Sequence, residues 1–126
     1  MSSWTPPSIA QIELQCSNLV QAEDFYGNLL GLEITGKLPQ VGSLLVRCGE
    51  VTLIIRETFN PTPGSPIYFN SDGVVPEAVA GLREAGIEFI EEPRCIARNQ
   101  HGHDVWLGVF EDPWGNPLAI IGEHAR

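Results

Sequence analysis

The chain has 126 residues, 43% of them apolar, and its acids outnumber its bases 16 to 7, which gives a net charge of −9. That length suits one domain that can bury a core without disulfides or a structural metal. The apolar content excludes a disordered chain, and no apolar run approaches the ~20 residues of a membrane-spanning helix. The charge argues against nucleic acid and anionic membranes as partners, because both bind clustered Lys and Arg.

Three cysteines, Cys16, Cys48 and Cys95, are scattered along the chain and form no CxxC pair. An odd, dispersed set is typical of free thiols in a reducing cytosol. Residues 1–7 have neither the basic nor the apolar region of a signal peptide, so we expect a cytoplasmic protein.

Residues 9–57 predict a first module of strand, helix and three strands. Apolar and polar residues alternate over 11–16, which is the period of a strand with two different faces. Asn18 suits a helix cap, and Gly31 suits the left-handed residue after a helix end. Further strands are predicted at about 32–37, 42–48 and 51–57, with Gly42 and Gly49 in the turns.

A second module, residues 66–123, repeats this order after a Pro-rich linker at 58–65. Ser17 recurs as Ser71, 54 residues later, and Gly31 recurs as Gly86. A strand near 67–70, a helix at about 74–85 and strands at about 87–91, 104–111 and 117–122 are predicted. Since neither short module buries a core alone, the predicted fold is α+β, one domain over 1–126 of two paired βαβββ modules.

Three motifs carry a resemblance to a known family: FYGNLLGL at 25–32, LREAGIEF at 82–89 and FEDPWGNP at 110–117. In this order and with this repeat, the chain resembles the vicinal oxygen chelate superfamily of glyoxalase I, extradiol dioxygenases and bleomycin-resistance proteins. The resemblance implies a curved, partly open mixed sheet around a ligand cavity, and a homodimer. It does not select one activity, because the motifs are structural.

The family's metalloenzymes bind a divalent ion through four strand positions. The resemblance places these positions on Gln11, Leu53, Pro66 and Ala119. Only Gln11 has a side-chain donor, whereas a tight site needs about three or more protein ligands. We therefore expect no usual metal site and no cofactor.

The predicted cavity face follows from strand alternation that begins at Gln11 and continues through Glu13. Glu13 has two interpretations: it pairs with Arg47 or Arg56 on a solvated face, or it serves a ligand as a hydrogen-bond acceptor or general base. Trp106 is either a core residue or a stacking wall of the cavity. The predicted ligand-binding set on the strands is Gln11, Gln15, Leu53, Ile55, Glu57, Tyr68, Asn70, Trp106 and Ala119.

Residues 92–104 are predicted to form a polar loop over the cavity mouth. Arg94 in this loop either binds an anionic group or neutralises nearby acids. His101 and His103 share a face of an extended chain, so they form either half of a metal site or part of an exposed polar loop.

The leading functional hypothesis is a small-molecule-binding protein of the glyoxalase/bleomycin-resistance type without the usual metal. The alternative is a glyoxalase-like lyase, isomerase or thiol transferase that uses a divalent metal with Glu13 or the His101–His103 segment. A third possibility is a structural or regulatory dimer with a vestigial cavity. The sequence names no ligand and leaves open whether the protein is an enzyme.

Overall fold

The computed structural model describes residues 3–98 and 102–125. The chain divides into two compact units, Met1–Pro61 and Thr62–Arg126. Each unit contains one four-stranded mixed sheet with a helix packed against it, as the α+β prediction requires. No helix in the described part of the chain has the length and apolar character needed to span a bilayer.

The first unit forms a sheet with the strand order β1-β4-β3-β2. Strands β1 and β4 are parallel, and the other neighbours are antiparallel. Its elements are β1 (Gln11–Cys16), α1 (Leu19–Glu23), a π-helical turn (Asp24–Leu29), β2 (Glu33–Leu38), a 3-10 turn (Pro39–Val41), β3 (Ser43–Cys48) and β4 (Val51–Glu57).

Helix α1 begins where the sequence predicts, because the Asn18 side chain accepts a hydrogen bond from the Gln21 N–H at 2.9 Å. The helical segment buries Ala22, Phe25 and Tyr26. The buried sheet residues of this unit's core include Leu14, Cys16, Leu44, Val46, Leu53 and Ile55.

The second unit repeats the arrangement with the strand order β5-β8-β7-β6, and β5 is parallel to β8. Its elements are β5 (Ile67–Asn70), α2 (Val75–Glu84), β6 (Phe89–Arg98), β7 (His103–Glu111) and β8 (Pro117–Ala125). Helix α2 lies close to the sheet because glycines face it: a Cβ on Gly108 would lie 2.9 Å from Val79 Cγ2.

The turn between β7 and β8 is organised by Asp112. Its Oδ1 accepts hydrogen bonds from the N–H groups of Trp114 (3.0 Å) and Asn116 (2.8 Å). Gly115 takes the positive φ of 81° that the reversal requires. Asn116 Oδ1 in turn accepts from the Gly64 N–H at 2.9 Å, so the turn also holds the end of the linker.

The predicted loop at 92–104 is wrong over much of its length, because β6 continues to Arg98. Pro93 and its acidic neighbours are typical of a loop, but β6 accommodates them through shifts in its register with β7. Cys95 and Arg94 therefore lie on a strand. His101 lies outside the described residues, whereas His103 begins β7.

Candidate functional site

In the first unit, the sheet face away from α1 is defined by the pairing of β1 with β4. Gln11, Glu13 and Gln15 lie opposite Thr52, Ile54 and Arg56, and paired residues point to the same side of a sheet. These six residues are called the Gln11 face. The structure thus brings the predicted Gln11, Glu13 and Gln15 together.

Leu53 and Ile55 do not belong to this face, and their prediction is wrong. They pair with Ile12 and Leu14, and their side chains are 1% and 0% exposed. The prediction was off by one residue along β4. Successive residues of this strand are apolar, so the sequence has no alternation that shows which side chains point away from α1. The position opposite Gln11 is occupied by Thr52.

Glu57 has a structural contact in place of the predicted cavity role. It lies opposite Cys16, and its Oε2 accepts a hydrogen bond from the Leu19 N–H at 3.0 Å. That N–H belongs to the first turn of α1, where helical donors lack intrahelical partners and a negative charge is favourable. Glu57 therefore caps α1.

Glu13 forms an ion pair with Arg56, with 3.0 Å between Oε1 and Nη2. This contact matches the first of the two interpretations of Glu13. The side chains of Arg56 and Glu13 are 56% and 43% exposed, and an exposed pair of this kind contributes only about 0–1 kcal/mol.

In the second unit, two rows of paired residues cross all four strands on the side away from α2. One row runs Tyr68–Ala119–Val109–Glu91, and the other runs Asn70–Ile121–Leu107–Arg94. These eight residues are called the Tyr68 face. The predicted residues Tyr68, Asn70, Ala119 and Arg94 lie together on it, and the Tyr68 side chain is exposed.

Trp106 lies on the other side of the second sheet, so of its two interpretations the stacking wall of a cavity shared with Tyr68 is wrong. It pairs with Cys95 and Gly122, and its ring stacks on His124 at 5.5 Å between centroids. Val105, Leu107 and Val109 alternate with Trp106 on β7, and all are apolar, so the sequence does not reveal which set faces α2. Exposed His103 has the same phase as Leu107, at the far end of β7.

Sequence reasoning missed Glu91, Leu107 and Val109 as members of the Tyr68 face. Glu91 ends the strand predicted at about 87–91, and the sequence does not reveal the register shifts that set the side of the sheet on which it lies. Leu107 and Val109 were missed because the candidate chosen on β7 was Trp106, whose side chain points to the opposite side of the sheet. The register of β6 with β7 and of β7 with β8 places all three on the Tyr68 face, and this register cannot be derived from a residue pattern in the sequence.

Of the four positions that the family resemblance assigns to a metal, Gln11 alone has a side-chain donor. Gln11 shares its face with Thr52, Ile54 and Arg56, and Ala119 shares its row with Tyr68 and Val109. Within residues 3–98 and 102–125, no three His, Cys, Asp or Glu side chains are grouped so that they could hold a metal. The thiol of Cys48 is no activated ligand either, since burial raises its pKa.

The comparisons with known proteins agree with this architecture. A glyoxalase family protein from Bacillus anthracis has 20% identity and a TM-score of 0.75, with 98% of this chain and 100% of that chain covered. A lactoylglutathione lyase from Agrobacterium tumefaciens has 22% identity and a TM-score of 0.71, with coverages of 94% and 95%. At these identities the likeness shows the fold.

A third solved structure, a virulence protein from Salmonella typhimurium, has 21% identity and a TM-score of 0.73, with coverages of 94% and 98%. A search of curated proteins finds no match. The family model for the Glyoxalase/Bleomycin resistance protein/Dioxygenase superfamily matches residues 8–120. The chain therefore belongs to the Glyoxalase/Bleomycin resistance protein/Dioxygenase superfamily.

Proposed function

We propose that this protein binds a small organic molecule on the Tyr68 face and does so without the divalent metal of the family's metalloenzymes. The observation that carries the proposal is the composition of that face. Leu107, Val109 and Ile121 supply half-buried apolar surface, while exposed Tyr68 and Asn70 add hydrogen-bonding groups at one edge. Apolar surface with a few polar groups is the usual make-up of a small-molecule site.

The metal-free part of the proposal is supported by the donor chemistry of the strands. A metal-dependent lyase needs several oxygen or nitrogen ligands that converge on one point. Of the four strand positions that the family resemblance assigns to ligands, Leu53, Pro66 and Ala119 have no side-chain donor and only Gln11 has one. The similarity to a lactoylglutathione lyase is a similarity of fold, and it is no evidence for metal ligands in this chain.

The proposal places this protein in the cytoplasm as a homodimer. None of Cys16, Cys48 and Cys95 forms a disulfide, which is consistent with a reducing compartment. The dimer is an expectation from the family resemblance, and size-exclusion chromatography with light scattering measures it directly.

Thermal melting with a broad panel of small molecules tests the proposed function. At 100 times its Kd, a ligand of the folded state stabilises it by about 2.7 kcal/mol, which is readily detected as a rise in Tm. We expect at least one class of compound to raise the Tm of EDTA-treated protein. Tyr68→Ala should weaken that binding by about tenfold, because the ring offers exposed contact area on the face.

Phe59→Ala is the matched control, since Phe59 is a fully exposed aromatic residue (101%) outside the strands. Its ligand affinity should equal that of the unmodified protein. A panel without any stabilising compound would contradict small-molecule binding. Stoichiometric Zn, Ni, Mn or Fe in untagged protein, or stabilisation that EDTA abolishes, would contradict the metal-free proposal.

A further inference from the structure

A β-bulge in β6 places two opposite charges on the Tyr68 face. Glu91 and Arg94 are three positions apart, so regular alternation would direct them to opposite sides of the sheet. The register shifts between them, and Glu91 pairs with Val109 while Arg94 pairs with Leu107. Pro93 lies within this bulge, where its missing N–H is tolerated.

The bulge therefore creates an ion pair at the edge of an apolar surface. Arg94 Nη2 lies 3.2 Å from Glu91 Oε1, and the two side chains are 58% and 47% exposed. Neighbouring strands are about 4.8 Å apart, so the β7 and β8 residues of the face form an apolar strip about 10 Å wide beside the pair. That strip consists of Leu107, Val109, Ala119 and Ile121.

We propose that this edge binds the head group of an apolar α-amino acid, or of a compound that carries one. The inference rests on the proposed function and names the ligand class for the same face. The guanidinium of Arg94 receives the ligand carboxylate through paired N–H donors, and the carboxylate of Glu91 accepts from the ligand ammonium. The ligand side chain then lies over Leu107 and Val109, towards Tyr68.

Charge complementarity favours a zwitterion over a simple anion or cation. A lone carboxylate competes with Glu91 for Arg94 and leaves Glu91 without its positive partner. A lone amine does the reverse and leaves Arg94 without its negative partner. A zwitterion replaces both contacts together and, unlike an anion, is not repelled by a protein of net charge −9.

Isothermal titration calorimetry with four matched compounds tests the proposal. L-Phenylalanine carries both charges and an apolar side chain, N-acetyl-L-phenylalanine lacks the ammonium, L-phenylalaninamide lacks the carboxylate, and glycine lacks the side chain. We expect L-phenylalanine to bind at least tenfold more tightly than each of the other three. Arg94→Ala and Glu91→Gln should each weaken its binding by tenfold or more.

Arg98→Ala is the matched control, because Arg98 lies on the same strand but pairs with Asp104 on the opposite side of the sheet. It should bind L-phenylalanine like the unmodified protein, and unliganded melting curves establish that each variant is folded. Equal binding of N-acetyl-L-phenylalanine or L-phenylalaninamide would overturn the zwitterion while leaving the proposed function intact. Binding of another compound to the Tyr68 face without binding of L-phenylalanine would likewise overturn the amino-acid proposal and leave the proposed function intact. If no compound of the panel binds, both the amino-acid proposal and the proposed function are overturned.

Discussion

Asn116 is a fully buried polar residue in the turn before β8. Its Nδ2 donates to Asp112 Oδ2 at 2.7 Å, and its Oδ1 accepts from Gly64. The Asp and Asn of the turn motif were identified in the sequence from their family pattern. The structure supplies the physical reason for them: one side chain satisfies a buried carboxylate and a backbone donor of the linker.

Replacing Asn116 should therefore lower the stability of the fold. Asn116→Ala leaves both Asp112 and the Gly64 N–H with one partner fewer, and we expect the free energy of unfolding to fall by about 2–4 kcal/mol. Urea denaturation followed by fluorescence measures it. Asn28→Ala is the control, because Asn28 donates to Asp24 Oδ1 at 2.9 Å on the exposed surface and should change stability by about 0.5 kcal/mol or less. Equal losses in the two variants would contradict this account.

At the scale of the elements, the order of strands and helices along the chain could be predicted, but the phase of the uniformly apolar strands could not. The alternation in β1 identified Gln11, Glu13 and Gln15 correctly as residues of one face. In β4 and β7 successive residues are apolar, so the alternation is lost, and Leu53 and Trp106 were assigned to the wrong sides. Which side chains of such a strand point to which side of the sheet depends on hydrogen-bonded pairing with strands distant in the sequence. That pairing cannot be predicted from the local sequence.

The contact of α2 with the second sheet predicts opposite changes in stability when two glycines are replaced by alanine. A Cβ at Gly108 would lie 2.9 Å from Val79 Cγ2 and 3.3 Å from Phe89 Cε2, whereas at Gly81 it meets nothing within 4 Å. We expect Gly108→Ala to destabilise the protein by about 1–3 kcal/mol through overpacking. Gly81→Ala, within α2, should stabilise it by about 0.5–1 kcal/mol, because alanine loses less backbone entropy on folding. Chemical denaturation of both variants measures these changes, and a neutral Gly108→Ala would show that α2 can move away from the sheet at no cost.

The whole molecule is the same module built twice, and its candidate site depends on what differs between the copies. In both units the first strand pairs in parallel with the last, and the helix packs on one side. The Gln11 face carries a Glu13–Arg56 pair among two amides, a hydroxyl and the single apolar residue Ile54, while the Tyr68 face carries its charges beside an apolar strip. The repeat is visible in the sequence, but the placement of both charges on the Tyr68 face depends on the bulge in β6.

The net charge of −9 acts on the molecule as a whole. Even if each of the 7 bases neutralises one acid, nine of the 16 acids remain uncompensated. Close pairs such as Lys37–Glu23 at 2.7 Å are exposed and contribute about 0–1 kcal/mol each, so like-charge repulsion should dominate the response to salt. Raising NaCl from 0.01 to 0.15 M shortens the Debye length from about 30 to about 8 Å and screens that repulsion.

We therefore expect the Tm to rise by about 3–6 °C over this range, which corresponds to roughly 1 kcal/mol for a chain of this size. Differential scanning calorimetry at several salt concentrations measures it. A triple variant that neutralises three exposed acids should have a higher Tm at low salt and a smaller rise in Tm on adding salt. Its substitutions are Glu50→Gln, Glu84→Gln and Glu88→Gln. A Tm that falls as salt is added would show that the surface ion pairs stabilise this protein more than its excess of acids destabilises it.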